Sequence, residues 1–333
     1  MSTNNMPSIE NLKTSNRGYE LHCEYRNFPV SFVNALRRIV LSGVPTVVVR
    51  DVQILENTTQ IPHEMLKHRV QMLPINITPD DVSAVRDAQI ELRMVSDKDN
   101  LLVTTNDFVV NSSRPKILLR DRDFDTPILF LRLRPGESVH IKASLSIEAQ
   151  EKTASQVCVG TTSWHVDKES QIYKDERKKW EERKELAAFD NFYYQQAYSR
   201  DEVTGRPNWI NMDIESIGVL SAKDILKYAV TILKNKIQTY VKESSEFVTR
   251  EKEDNSFSIK YDFKVKEDCH TVGVLMQEVI YNDLNVDFVS YDMPHPLRST
   301  MVLRMHTKKT PESILKTAVQ TIEEYCSIVE KVL

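Results

Sequence analysis

Four groups of residues in this chain have types and spacings that invite chemistry. Asp121, Asp123 and Asp125 recur at every second position, the carboxylate spacing of calcium loops and of two-metal phosphoryl-transfer sites. A calcium loop needs glycine at its sixth position, and Thr126-Pro127 stands there instead, so the run reads as an acidic surface turn. His63-Glu64 with His68 comes close to the zinc-protease helix, which needs its second histidine four residues after the first. Position 67 is lysine, and a five-residue spacing turns His68 away from His63 on a helix. Cys23, Cys158, Cys269 and Cys326 lie far apart with no C-x-x-C pair, the pattern of buried reduced thiols rather than of a zinc knuckle or a disulfide framework. The remaining group is Arg37-Arg38. Adjacent guanidinium groups offer bidentate donors suited to holding a partner, and that chemistry is recognition rather than catalysis. No cofactor and no metal are expected.

The arginines ride a short helix. Pro29 opens it where a missing N–H costs nothing, and Gly43 followed by Pro45 closes it as a left-handed cap and stop would. Val33, Leu36 and Val40 share one stripe with Phe32, Ala35 and Ile39 beside it, so most of the helix is expected to be buried, with the arginines at its rim.

The 333 residues exceed one average domain and leave room for two or three. A net charge of −4 excludes a whole-chain basic field, and with it sequence-independent binding to phosphate backbones as the main activity. No apolar run approaches the ~18 residues of a membrane span, and the polar start Met1–Asn5 lacks the apolar stretch of a secretory signal; a soluble, intracellular protein is expected. Seven glycines in 333 residues leave no two close enough for a phosphate-cradling loop.

A repeat lies in the C-terminal half. Ile225-Leu226-Lys227-Tyr228-Ala229-Val230 returns as Ile314-Leu315-Lys316-Thr317-Ala318-Val319. Each copy opens a capped amphipathic helix, with Ser221 and Asp224 before the first and Thr310-Pro311 before the second. Leu226, Ala229, Leu233, Ile237 and Tyr240 mark the apolar face of one helix; Leu315, Ala318, Ile322, Cys326 and Val329 mark that of the other. An alternating strand precedes each, Trp209–Gly218 and Met301–Thr307. Between the halves, Ile128–Glu137 and Val139–Ala143 read as a hairpin around Pro135-Gly136. Lys174–Lys184 reads as an exposed helix with i,i+4 charge pairs. The aromatic run Phe189–Tyr198 after it is expected to pack on its own domain.

The run Asn34-Ala35-Leu36-Arg37-Arg38-Ile39 through Pro45-Thr46 resembles the signature of the alpha-like assembly subunits of multisubunit RNA polymerases: the bacterial alpha, archaeal D and eukaryotic third-largest subunits. Ile61–Ile75, with Arg69-Val70-Gln71-Met72-Leu73-Pro74-Ile75, is similar to that family's short helix and Leu-Pro-Ile turn. Glu267–Leu275 and Tyr291-Asp292-Met293-Pro294-His295-Pro296-Leu297 resemble the archaeal L and eukaryotic eleventh subunits; Val274 departs from that pattern, where asparagine is usual. The segment His270–Met276 is thus the counterpart of the opening helix. D-like proteins often hold zinc or an iron–sulfur cluster in the insert, but Cys158 is its only cysteine here, so no such cluster is expected.

The resemblance implies an α+β fold of two alpha-like dimerisation halves, each an antiparallel sheet plus helices, paired within one chain. It implies a D-like domain from 1–50 and 165–242, a mainly β insert from 51–164 and an L-like domain from 243–333, joined at 242–258. It further implies a non-catalytic assembly platform, with Leu226, Ala229, Leu233, Ile237, Leu315, Ala318 and Ile322 in the internal pairing. Asn34, Arg37, Arg38 and Pro45 would face the second-largest, β-like subunit, and His295, Pro296 and Leu297 the largest, β′-like one; small polymerase subunits complete the expected partners. The chain is expected to lack a DNA-binding module like that at the C-terminus of bacterial alpha. Fused pairs of this kind occur in large cytoplasmic DNA viruses, which implies a viral origin, the host cytoplasm and the virion. The alternative is a transcription-associated interaction module using the same fold outside a polymerase, and a third option is a small-molecule enzyme using the insert's histidines and aspartates.

Overall fold

The computed structural model describes residues 6–333 apart from 87, 113, 115, 150–156, 202–203, 245–247, 251–255, 264–265 and 285. The chain opens with β1 (Ser8–Ser15), β2 (Glu20–Arg26) and helix α1 (Val30–Ser42). An insert follows: β3 (Thr46–Asn57), α2 (His63–Gln71), α3 (Val82–Val85), β4 (Gln89–Val95), β5 (Leu101–Thr104), β6 (Val109–Asn111), β7 (Leu129–Leu133) and β8 (Ser138–Glu148). The first half resumes with β9 (Val157–Trp164), α4 (Gln171–Glu182), α5 (Leu186–Ala188), a π-type turn Phe189–Tyr193, α6 (Tyr194–Gln196), β10 (Trp209–Ser216) and α7 (Ala222–Ser244). The second half is β11 (Val248–Arg250), β12 (Ser256–Asp262), α8 (Lys266–Asp283), β13 (Phe288–Asp292), β14 (Thr300–His306) and α9 (Pro311–Val332).

The fold is α+β, and its two halves have one topology. Their sheets run β1-β2-β10-β9 and β11-β12-β14-β13, antiparallel throughout. In β10 the alternation puts Ile210, Met212, Ile214 and Ser216 inward, the period-two signature of a strand with one covered face. A single hydrophobic core runs through α1, α7, α8, α9 and both sheets. The C-terminal helix of each half packs on aromatic residues near the strand ends of the other. Tyr325 of α9 meets Phe28 and Phe32 edge-on at 5.8 and 5.5 Å, and Tyr240 of α7 meets Tyr261 and Phe263 at 5.2 and 5.8 Å. Lys234 to Glu330 (2.6 Å) and Gln238 to Glu323 join α7 to α9 at the surface.

Several expectations are corrected. The strand Val157–Trp164, placed by sequence in the insert, pairs with β10 in the first sheet; Gly160 has no Cβ where Leu41 of α1 lies at 3.0 Å, so the helix packs directly on this strand. Thr46–Arg50, in contrast, starts the insert sheet β3-β8-β4-β6. The Pro135-Gly136 hairpin does not form: β8 takes β3 and β4 on its two edges, and β7 pairs with β5. Of the expected connection 242–258, residues 245–247 and 251–255 lie outside the described residues, while β11 and the start of β12 belong to the second sheet. The insert keeps a core of its own around Val49, Leu66, Leu92, Phe130 and Ile141.

Arg122 ties the insert to the body, donating to the Ser216 carbonyl (2.7 Å) and to Glu215 (2.7 Å). The charged helix α4 carries an i,i+3 pair, Glu176 with Lys179 (2.7 Å). Its Tyr173 and Trp180 pack on Phe189 and Tyr193 of the aromatic run.

Glu24 is buried on β2. Desolvation would raise its carboxyl, yet hydrogen bonds from Asn11 and from Trp209 Nε1 (2.9 Å) hold it below the usual carboxylate range. A depressed folded value stabilises the protein above the ordinary carboxylate pKa of ~4.3, and the stabilisation is lost as pH falls through the folded value. Glu24→Gln should therefore melt below the wild type at pH 7, with the two melting temperatures converging under acid; a gap independent of pH would contradict this.

Candidate functional site

Helix α1 begins without a side-chain cap of its own, since Pro29 stands at the N-cap position. Such an end leaves orphan N–H donors in the first turn. Pro29 O accepts from Phe32 and Val33 at 3.1 and 3.3 Å. The Ser31 N–H donates instead to Glu278 Oε2 at 3.0 Å, on α8 of the second half. At the other end of the same helix pair, Arg38 Nε donates to Thr271 Oγ1 at 2.9 Å.

These two contacts are reciprocal. Ser31–Val40 and Thr271–Ile280 carry the same order of buried, half-buried and exposed positions, so Ser31 corresponds to Thr271 and Arg38 to Glu278. The first half's 31 meets the second half's 278, and its 38 meets 271. That exchange is how an isologous interface about a two-fold axis behaves.

The two arginines consequently part company. Arg38 is turned to α8, whereas Arg37 lies on the outer face, where Nε and Nη2 donate to Asn34 Oδ1 at 3.1 and 3.0 Å. Asn34 is exposed and Pro45 half-buried. Gly43 is right-handed, φ −95°, not the left-handed cap expected. Its lack of a side chain serves a close approach instead, because a Cβ there would lie 2.9 Å from Ile39 Cγ2.

In the second half, His295, Pro296 and Leu297 sit on the exposed loop between β13 and β14, with Leu297 88% exposed. The loop is anchored through Tyr291, whose N–H donates to Gln277 Oε1 (3.0 Å) and whose ring covers Gly273. A Cβ at 273 would fall 2.6 Å from Tyr291 Cδ2. Gly273→Ala should displace the ring and cost about 1 to 3 kcal/mol of stability, measurable by denaturant unfolding; an unchanged midpoint would mean that Tyr291 moves aside without loss.

Leu226, Ala229, Leu233, Ile237, Leu315, Ala318 and Ile322 are all buried in the common core. Ser221 caps α7 as its sequence predicts, accepting from the Asp224 N–H at 3.1 Å; Thr310 occupies the same position before α9 without a side-chain bond. Sequence reasoning missed Glu278 and the use of Thr271. Thr271 lies within the Glu267–Leu275 run, but nothing local marks Glu278 as a cap for a helix more than two hundred residues away.

The other chemical candidates are structural. Asp121 Oδ1 accepts from the Asp123 and Phe124 N–H groups at 3.0 and 2.8 Å, closing a turn, and Asp123 pairs with Arg122. Burial pushes the Cys23 and Cys326 thiols up to about 12, which removes them as nucleophiles at neutral pH. Among the described residues no group of three or more His, Cys, Asp or Glu side chains is arranged to hold a metal, and no helix is long and apolar enough to cross a membrane. A cleft of about 1240 Å³ opens between Arg26, Tyr198 and Arg200 on one side and Gln277, Glu278 and Tyr281 on the other.

The class defined by this geometry is an α+β protein of two topologically equivalent halves whose helices share one hydrophobic core, one of them carrying a β-rich insert. The family described as the RNA polymerase Rpb3/Rpb11 dimerisation domain matches residues 23–237 and, separately, residues 260–332; the chain belongs to this family, with a D-like first half and an L-like second half. It is 23% identical over 276 residues to the DNA-directed RNA polymerases I and III subunit RPAC1 of Saccharomyces cerevisiae, covering 66% of this chain and 82% of that protein. It is 24% identical over 255 residues to the RNA polymerase II subunit RPB3 of Schizosaccharomyces pombe, with the same shares. A shorter match, 47% identical over 51 residues, relates 15% of the chain to 27% of the RNA polymerase subunit Rpo3 of Methanocaldococcus jannaschii.

Proposed function

We propose that this chain is a non-catalytic assembly subunit of a DNA-directed RNA polymerase, acting as an intramolecular counterpart of a two-subunit platform. The observation that carries the reading is the reciprocal pair of cross-half contacts, Ser31 N–H with Glu278 and Arg38 with Thr271, set in a core common to both halves. An interface of this isologous kind is what two separate alpha-like subunits would need in order to pair. Holding both partners in one chain replaces a bimolecular step by an intramolecular one, with an effective concentration on the order of millimolar for a short connection.

With the pairing faces turned inward, the outer faces are left for larger partners. Asn34, Arg37 and Pro45 form the candidate surface for the second-largest subunit, with Arg38 acting behind them. His295, Pro296 and Leu297 form the candidate surface for the largest. The small subunits would join the same assembly, and DNA would be met only through it.

The test is co-expression of the tagged chain with the second-largest polymerase subunit of the same genome, followed by affinity capture in moderate salt. A stable stoichiometric complex is expected. Its absence, with both proteins folded and soluble, would overturn the assignment.

A further inference from the structure

We infer that the cleft between the β9–β10 connection and helix α8 is a docking groove for an acidic segment of another protein, one that carries apolar side chains among its carboxylates. The inference goes beyond the platform reading and does not depend on it.

The connection that forms one wall has no equal in the second half. Strands β9 and β10 are joined by residues 165–208, whereas their counterparts β13 and β14 are joined by 293–299. The base of the long connection is pinned to the first sheet. The Ser199 N–H donates to the His165 carbonyl at 2.8 Å, the Asn208 N–H donates to the Ser199 carbonyl at 3.2 Å, and Tyr198 packs on Trp164 at 5.5 Å. Between this wall and α8 about 1240 Å³ is left open. That exceeds the ~300–1,000 Å³ of small-molecule sites and suits a stretch of polypeptide.

The two walls differ in character. On α8 the exposed groups are Val274 and Tyr281, at 40% and 55%. By the matched burial of the two helices, Val274 and Gln277 stand where α1 has Asn34 and Arg37, so the face that is cationic on α1 is uncharged on α8. The opposite wall brings Arg200 and Arg206, both exposed, with Arg200 against the Tyr198 ring at 5.1 Å.

Charge decides the occupant. The carboxylates that line the cleft already serve as acceptors within the chain. Glu278 takes the Ser31 N–H, Asp167 Oδ1 takes the Glu169 N–H at 2.9 Å, and Asp201 Oδ1 takes the N–H and hydroxyl of Thr204 at 2.7 and 2.9 Å. What the cleft offers a visitor is therefore cationic donors, whose planar forks suit carboxylates. An extended chain alternates its side chains between two faces, so it can turn carboxylates to the arginine wall and apolar groups to Val274 and Tyr281. A nucleic acid fits less well, because its evenly charged backbone would run past Asp167, Asp201 and Glu278.

The full chain provides the test. A fluorescein-labelled peptide of about ten residues, ~35 Å when extended, alternates Glu or Asp with Phe or Leu. A second peptide has Lys in place of every acidic residue, and an oligothymidylate of similar length stands for single-stranded nucleic acid. Fluorescence anisotropy should show the acidic peptide binding with a Kd below about 100 μM and the Lys peptide at least about tenfold weaker. Arg200→Glu with Arg206→Glu should reverse that order, weakening the acidic peptide roughly tenfold, the scale of two exposed ion pairs turned into repulsions. Lys178→Glu with Arg183→Glu makes the same charge change outside the cleft and should alter neither affinity by more than about twofold. Arg200→Gln with Arg206→Gln carries the comparison if the charge-reversed protein does not fold by circular dichroism; it should weaken the acidic peptide without strengthening the Lys peptide.

No binding of the acidic peptide at about 100 μM would overturn the inference, as would tighter binding of the oligothymidylate. Equal effects of charge reversal inside and outside the cleft would do the same. None of these outcomes bears on capture of the second-largest subunit, so the two readings fail separately.

Discussion

Leu233→Ala should destabilise both halves together, by about 3 kcal/mol, and leave the insert untouched. Leu233 is fully buried on α7 in the core that also contains Leu36 of α1, Leu275 of α8 and Ile322 of α9. Removing a buried leucine side chain forfeits its transfer free energy and leaves a cavity whose cost depends on how far the surroundings collapse, typically about 2 to 5 kcal/mol. That core is built from helices of both halves, with α7 packed on α1 and on α9, so neither half has a separate core in which to retain its structure. Unfolding followed by a probe in each half, Trp209 fluorescence and a label placed on the β13–β14 loop, should shift by the same amount. Leu92→Ala gives the contrast, since Leu92 belongs to the insert's separate core and should shift the insert alone. Two half-specific transitions, only one of them moved by Leu233→Ala, would contradict a common core.

The helices of this core are legible in the sequence because their signals are local. The repeat between Ile225–Val230 and Ile314–Val319, the near-heptad spacing of leucines and alanines, and the Ser221 cap each lie within a few turns of chain, and periodicity reads such distances well. The equivalence of His270–Met276 with the arginine-bearing helix comes instead from the resemblance of Glu267–Leu275 to the L-like family, and the structure extends it to matched burial at every position from Ser31 to Val40.

The sheet edges are not legible. Strand β9 and the supposed hairpin at Pro135-Gly136 escape a local reading because pairing is decided by partners distant in the chain, β10 for one and β5 for the other. The glycine at 43 suggests its commonest use, a left-handed turn, while the actual constraint is the distance to Ile39. The division of labour between Arg37 and Arg38 is hidden more deeply. On a helix, adjacent residues lie about 100° apart, so one can face a partner half and the other solvent, and which is which depends on where α8 lies. The reciprocal aromatic contacts of Tyr325 and Tyr240 share that origin: each depends on a strand end in the other half.

Arg37→Glu is expected to abolish capture of the second-largest polymerase subunit while leaving the fold intact. The side chain is half-exposed, and its structural partner is Asn34 on the same helix at 3.0 Å, so the stability change should stay within about 0.5 kcal/mol. At an interface the consequence is larger. Asn34 holds the guanidinium in a fixed orientation before any partner arrives, which reduces the ordering cost of binding. Replacing it with a carboxylate removes the donors and sets a like charge against whatever acidic group they serve. Loss of one partner of a desolvated charge pair typically costs about 2 to 5 kcal/mol, so recovery in the capture assay should fall by at least about thirtyfold. Leu297→Asp provides the complementary arm, as Leu297 projects from the β13–β14 loop with almost no contact to its own chain. It should weaken recovery of the largest subunit and spare the second-largest. Full recovery of the second-largest subunit by a folded Arg37→Glu protein would move the docking face away from α1, and equal loss of both subunits in Leu297→Asp would mean that the two faces form one surface.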